Sequence, residues 1–187
     1  MKGALIGSTC TGKTTGLAYL TCNLGGLRTK IGIGNEVAVD CPYPLNERGG
    51  FLTQWWILAH QIEREYRLSQ WFPNVIMDRS VLDSIAYTLV AKDQGRSTEK
   101  ELNQIVATAK AWMENHPYDF FLYLPPLVNC PLNSRAKDFQ EKVDNAINLL
   151  FLFEDICNTQ IIKIQEQEKD KRNQEILNVI KEVMKLG

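Results

Sequence analysis

One octapeptide near the start of the chain, Gly7-Ser8-Thr9-Cys10-Thr11-Gly12-Lys13-Thr14, matches G-x-x-x-x-G-K-[ST] at every fixed position. That spacing is chemistry for holding a polyphosphate. The glycines let the chain wrap so that successive backbone N–H groups, those of Thr9, Cys10 and Thr11 among them, converge on phosphate oxygens. They do so at the N-terminus of the following helix, where the dipole favours anions. Gly7 opens the loop and Gly12 turns it into the helix. Lys13 is placed to set its ammonium on the β- and γ-phosphates of ATP, Thr14 to offer its hydroxyl to Mg2+, and Thr15 to contact the α-phosphate. Cys10 stands near a helix N-terminus, which lowers a thiol's pKa, but its small size is enough to suit the position.

A second constellation follows an apolar run: Val75-Ile76-Met77 leads into Asp78-Arg79-Ser80. An acid at the C-terminal end of a strand beside a phosphate loop is where Mg2+ or its waters are held, so Asp78 joins Thr14 as a candidate metal ligand. With the phosphate loop, this Asp-Arg-Ser and a downstream arginine, the chain resembles the P-loop nucleoside and nucleotide kinases. The likeness is strongest to the AAA-type ATPase-like branch that includes the nicotinamide riboside kinase domain, with deoxynucleoside kinases more distant.

The resemblance implies roles. Arg79 would stabilise the charge of the transferred γ-phosphoryl group and contact the acceptor, and Asp78 would serve the metal or the acceptor hydroxyl. The segment 34–44 lies where deoxynucleoside kinases carry a carboxylate that takes a proton from the attacking hydroxyl, which makes Glu36 the candidate base and Asp40 the reserve. The aromatic helix 51–65 lies where relatives bind the acceptor. There Gln54 can read an amide or base edge, and Trp55 or Trp56 can stack on a ring; at helical spacing one of the two tryptophans is expected to face the core. Arg135 is the candidate lid arginine, assisted by Lys137, although deoxynucleoside kinases carry a denser cluster. The whole chain, 1–187, then reads as one domain, with its phosphate loop at 7–15, acceptor region at about 34–70 and lid at about 126–142. A homodimer is a further implication.

These residues need a scaffold, and the patterning supplies one. Short apolar segments at 4–6, 29–33, 74–78, 119–124 and 160–164 alternate with longer helical patterns, the mark of βαβ units. The fold class expected is α/β: a three-layer P-loop NTPase fold with a five-stranded parallel sheet flanked by helices. Leu102, Ile105, Val106, Ala109, Trp112 and Met113 form one core-facing helical stripe, and Ile176, Leu177, Ile180, Val183 and Met184 another. The mixed-charge run 166–175 reads as a solvated helix start.

Composition narrows the classes further. The chain has 187 residues, 44% hydrophobic and 23% charged, which argues against a disordered tail or a disulfide scaffold. Lys and Arg number 21 against 22 Asp and Glu, a net charge of −1, so no global positive field favours nucleic acid. Five cysteines without a CxxC pair are expected to be free thiols in a reducing, cytoplasmic setting, and no segment approaches the roughly 20 apolar residues of a membrane span. The leading expectation is an ATP- and Mg2+-dependent kinase acting on a nucleoside-like acceptor. Two alternatives stand beside it: a polynucleotide or modified-base (DNA) kinase, with Arg64, Arg67, Arg79 and Lys92 as its groove, and a nucleotide-dependent regulatory ATPase.

Overall fold

In chain order the computed structural model contains β1 (Lys2–Ile6), α1 (Lys13–Asn23), β2 (Ile31–Gly34), two short 3-10 turns (Val37–Asp40 and Asn46–Arg48), α2 (Phe51–Trp71) and β3 (Asn74–Asp78). There follow α3 (Val81–Asp93), α4 (Glu99–Asn115), β4 (Phe120–Tyr123), α5 (Ser134–Leu150), β5 (Gln160–Lys163) and α6 (Lys169–Val183). Residues 1–24, 30–129, 132–153 and 159–185 are described, apart from the side chain of Arg135. Gly25-Gly26, Thr29, Cys130, Pro131 and Cys157 lie outside the described residues.

All strand pairs are parallel, in the order β2-β3-β1-β4-β5. This is the expected architecture, and the strands show why it holds. Because successive side chains point to opposite faces, Leu5, Ile76, Phe120 and Leu122 join Leu17, Leu20, Ile176 and Ile180 of α1 and α6 in one buried cluster. Ala4, Ile6, Val75, Met77, Phe121 and Tyr123 join residues of α2, α3, α4 and α5 in the other. Strands apolar on both faces are stable only under two helical layers, and each large side chain so covered contributes about 1.5–3 kcal/mol.

The helices begin where local hydrogen bonds dictate. Ser80 and Asp83 form a capping box at α3, and Thr98 and Glu101 one at α4. Both apolar stripes face the core as expected, with Ile105, Ala109, Ile176 and Ile180 fully buried. The charged run before and within α6 is not wholly solvated: Arg172 and Asn173 are buried, and Arg172 donates to the carbonyls of Pro125 and Glu166, each at 2.6 Å. The expectation of free thiols is met at Cys22 and Cys41 and corrected at Cys10, which is disulfide-bonded. Among the described residues no helix is long and apolar enough to cross a membrane.

Candidate functional site

The phosphate loop leaves the C-terminal end of β1, the middle strand, and enters α1. Gly7 lies at φ +148°, and a Cβ there would stand 2.4 Å from the Leu124 carbonyl oxygen, so only glycine fits. Gly12 holds the left-handed φ of +85° that turns the loop into α1, and no side chain caps that helix. Its first N–H groups are therefore left to the loop's interior. Lys13 is buried, and its ammonium donates to the carbonyls of Gly7 (2.9 Å) and Ser8 (2.5 Å) and to Thr11 Oγ1 (3.0 Å). Burial, reinforced by the nearby Arg79 guanidinium, lowers its pKa to about 7. Gln140 of α5 donates to the Thr9 carbonyl at 2.6 Å, tying the loop to a helix far along the chain.

Beside the loop, β3 ends in Asp78 and Arg79. Thr14 Oγ1 donates to Asp78 Oδ2 at 2.8 Å, while Asp78 Oδ1 is buried without a hydrogen-bond partner among the described residues. Burial raises the Asp78 pKa against the opposing pull of Lys13 and Arg79. Arg79 reaches back over the loop. Its Nε donates to Glu36 Oε1 at 2.5 Å, and its Nη1 to the Gly7 carbonyl and to Asp83 Oδ1, both at 3.2 Å. Asp83 has two tasks, since its Oδ2 also accepts from the N–H and hydroxyl of Ser80 at the start of α3.

Burial acts on both partners of the Arg79–Glu36 pair, and the pairing outweighs it in each. The Glu36 carboxyl is held below the usual carboxylate range by Arg79. The guanidinium stands well above its ordinary pKa through Tyr87, Glu36 and Asp83, and its face lies 5.3 Å from the Tyr87 ring.

These groups open onto one cavity of about 480 Å3, lined by residues 9–15, Glu36, Gln54, Gln61, Arg79 and Asp83 among others. Of the residues singled out from sequence, the loop, Glu36, Gln54 and Arg79 therefore converge, and Asp78 joins them through Thr14. Asp40 does not; it is exposed and pairs with Arg64 at 3.5 Å. Trp56 is absent from the cavity lining and stacks on His60, with ring centroids 3.7 Å apart. Neither tryptophan faces the core: Trp55 is 41% exposed and Trp56 only partly buried. Arg135 lies in the first turn of α5, and its side chain is outside the described residues. Asp83, Gln61 and Gln140 were not foreseen; only Asp83 left a trace in the sequence, the Ser80-x-x-Asp83 capping spacing.

A phosphate loop at the end of the middle strand of a parallel sheet, covered by helices on both faces, defines the α/β P-loop kinase-like fold. Among solved structures, deoxyadenosine kinase from M. mycoides, with the products dCMP and dCDP bound, matches with a TM-score of 0.69. The two are 16% identical over 97% of this chain and 100% of that one. The NadR protein in complex with NR matches at 0.75 with 12% identity, over 100% of this chain and 51% of that one; the chain thus spans about half of NadR's length. Thymidylate kinase from Candida albicans matches at 0.63 with 17% identity, over 97% and 91%. At these identities the shared property is the fold. No family model and no curated protein matches the chain.

Proposed function

We propose that residues 1–187 form one kinase domain that transfers the γ-phosphoryl group of ATP to a hydroxyl or phosphate of a nucleoside-like small molecule. The observation that carries this reading is that these groups share one cavity. It is lined by residues 9–15 of the phosphate loop together with the Glu36–Arg79–Asp83 cluster and Gln54. Loop N–H groups and Lys13 bind the donor's phosphates. Arg79 is oriented by Nε and Nη1, while its Nη2 makes no hydrogen bond among the described residues and is left for the transferring phosphoryl group. Gln54 is 5% exposed, and its side chain has no hydrogen-bond partner among the described residues, so it supplies a donor and an acceptor to the acceptor molecule. Glu36 is positioned as the base but is weakly basic while paired with Arg79. That suffices, because phosphoryl transfer depends on positioning and charge stabilisation more than on early proton removal.

The donor set fits Mg2+. Thr14 Oγ1 and the unpartnered, buried Asp78 Oδ1 are hard oxygen groups beside the loop; they would hold the ion, which neutralises phosphate charge when bound. The small-acceptor reading is favoured over the DNA one because Arg64, Arg67, Arg79 and Lys92 are each paired with a carboxylate, so a nucleic-acid strand would have to compete with those pairs.

The test is ADP release from Mg2+-ATP against nucleosides, nucleoside monophosphates, nicotinamide riboside and hydroxymethylated DNA, with Lys13→Ala as control. One small acceptor is expected to stimulate release at least about tenfold, and DNA not at all. Slow hydrolysis indifferent to every acceptor would overturn the reading in favour of a regulatory ATPase.

Lys13 gives this reading a pH signature. Its pKa is about 7 in the ligand-free protein, and a polyphosphate beside it favours the charged form, so between pH 7 and the higher pKa of the complex the complex holds more protons than the free protein. Binding of ATP at pH 8 is therefore expected to take up about one proton, and affinity to fall by up to about tenfold per pH unit above 7. Calorimetry in buffers of different ionisation enthalpy measures the uptake, and Lys13→Met should abolish it. An uptake that survives that substitution would assign the proton to another group.

A further inference from the structure

Arg79 adopts a backbone conformation that an L-residue rarely takes, with φ at +75°, in the left-handed region where a side chain is strained. Its main chain is held from two sides. The Arg79 N–H donates to the Leu5 carbonyl at 2.9 Å, and its carbonyl accepts from Gln61 Nε2 at 3.0 Å. The same Gln61 nitrogen gives its other hydrogen to Glu65 Oε1 at 2.9 Å. Both partners can only accept, so the orientation of the amide is settled.

Glu65 is 1% exposed and absent from the cavity lining, yet four donors converge on it. Oε1 accepts from Gln61 and from the Tyr118 hydroxyl at 2.5 Å. Oε2 accepts from Lys2 Nζ at 3.0 Å and Trp112 Nε1 at 2.8 Å. The Tyr118 oxygen in turn accepts the N–H of Val81, the first residue of α3, at 3.2 Å. Two arms thus leave one carboxylate: Gln61 grips the carbonyl of residue 79, and Tyr118 grips the N–H of residue 81. The corner between β3 and α3, from which the Arg79 side chain departs, is clamped between them.

We infer that Glu65, acting through Gln61 and Tyr118, is a positioning residue for the Arg79 guanidinium. The inference rests on the role proposed above for Arg79 in phosphoryl transfer. A rotation of the residue 79 peptide would swing the guanidinium away from Glu36 and Gly7, and a displacement of about 1 Å at such a group costs on the order of 10²-fold in rate. A network that merely filled the core would change stability and leave the rate alone.

Gln61→Met keeps the side chain's length and removes both donors, while Glu65 retains Lys2, Trp112 and Tyr118. It is expected to lower kcat by about 10- to 100-fold with the KM for ATP changed less than about threefold. In an Arg79→Lys background the same substitution should change kcat less than about twofold, because both changes disrupt one group. An equal loss in the two backgrounds, or a loss confined to the KM for ATP, would overturn the inference. Should Gln61→Met fail to fold, Tyr118→Phe, which cuts the arm to Val81, is read in the same cycle with the same outcomes.

A second measurement is independent of turnover. Hydrogen exchange at the Arg79 Nε–H, followed by nitrogen-15 NMR and assigned by its loss in Arg79→Lys, should be at least about tenfold faster in Gln61→Met than in the parent. Unchanged protection would overturn the inference. A parent protein inert towards every acceptor would remove the kinase reading, and the exchange measurement would then decide the inference alone.

Discussion

Replacing Lys13 by alanine is expected to lower kcat by about 10³-fold or more while the protein remains folded. The magnitude follows from the role proposed for the group. A charged donor aimed at developing negative charge in a water-poor site is worth on the order of 10²–10³ in rate, and cationic groups in phosphoryl transfer reach the upper part of that range. The loop's backbone N–H groups are untouched, so the KM for ATP should rise by only about tenfold. Stability should change little in the ligand-free protein. The ammonium loses three hydrogen bonds to the loop, but a buried charge whose pKa has fallen to about 7 is already costly, and the two effects oppose each other.

Lys13→Arg is expected to fail nearly as badly, because a planar guanidinium cannot occupy a loop that encloses a compact ammonium. The measurements are steady-state kinetics at saturating ATP and a thermal melt without ligand. An unchanged kcat would remove Lys13 from the reaction, and collapse of the fold would show that the lysine is chiefly structural.

The contrast between what the sequence disclosed and what it hid is one of range. The phosphate loop was legible because the motif is built from consecutive residues: glycines that permit the turn, one lysine and one threonine at the start of a helix. Asp78-Arg79 was legible because a strand's end marks where it must emerge. Apart from Asp83, four residues on from Arg79, the partners that orient these residues come from distant parts of the chain, and no local spacing announces them. Gln140 meets Thr9 across 131 residues, Tyr118 meets Glu65 across 53, and Glu36 meets Arg79 across 43.

Two misreadings have specific physical causes. Adjacent helical residues diverge by about 100°, which requires Trp55 and Trp56 to face differently but does not require either to face the core. Trp56 is accounted for by His60 one turn along, and Trp55 by Phe51 one turn before it, with ring centroids at 5.7 Å. The bonded state of Cys10 was likewise not announced, because the lack of a CxxC pair leaves every wider pairing open.

Substituting alanine for Arg79 is expected to lower kcat by about 10³-fold, the low end of the range for an arginine that stabilises transferring phosphoryl charge, with the KM for ATP within about threefold. The asymmetry is the diagnostic feature. In the proposed reading Lys13 would touch the donor already in the ground state, whereas Arg79 lines the cavity with Nε and Nη1 fixed by Glu36, Gly7 and Asp83 and with no hydrogen bond at Nη2 among the described residues. An interaction made chiefly in the transition state lowers kcat without weakening substrate binding.

The same substitution should also destabilise the fold. Glu36 and Asp83 lose their cation, and a non-glycine residue remains at φ +75° without the contacts that offset its strain. Glu36 is about a quarter exposed and Asp83 keeps its bonds to Ser80, so the loss is expected near 2–3 kcal/mol, at or below the low end for breaking a buried pair. A midpoint lowered by about 5–10 °C would correspond. Arg79→Lys separates the two effects. It restores a charge between the two carboxylates and so most of the stability, but a single ammonium cannot hold Glu36, Gly7 and Asp83 and still present a donor to the phosphoryl group, so kcat should stay at least about 10²-fold down. If Arg79→Lys recovers kcat together with stability, the guanidinium serves the ion-pair cluster alone; if it recovers only stability, the fork of Arg79 is what the reaction uses.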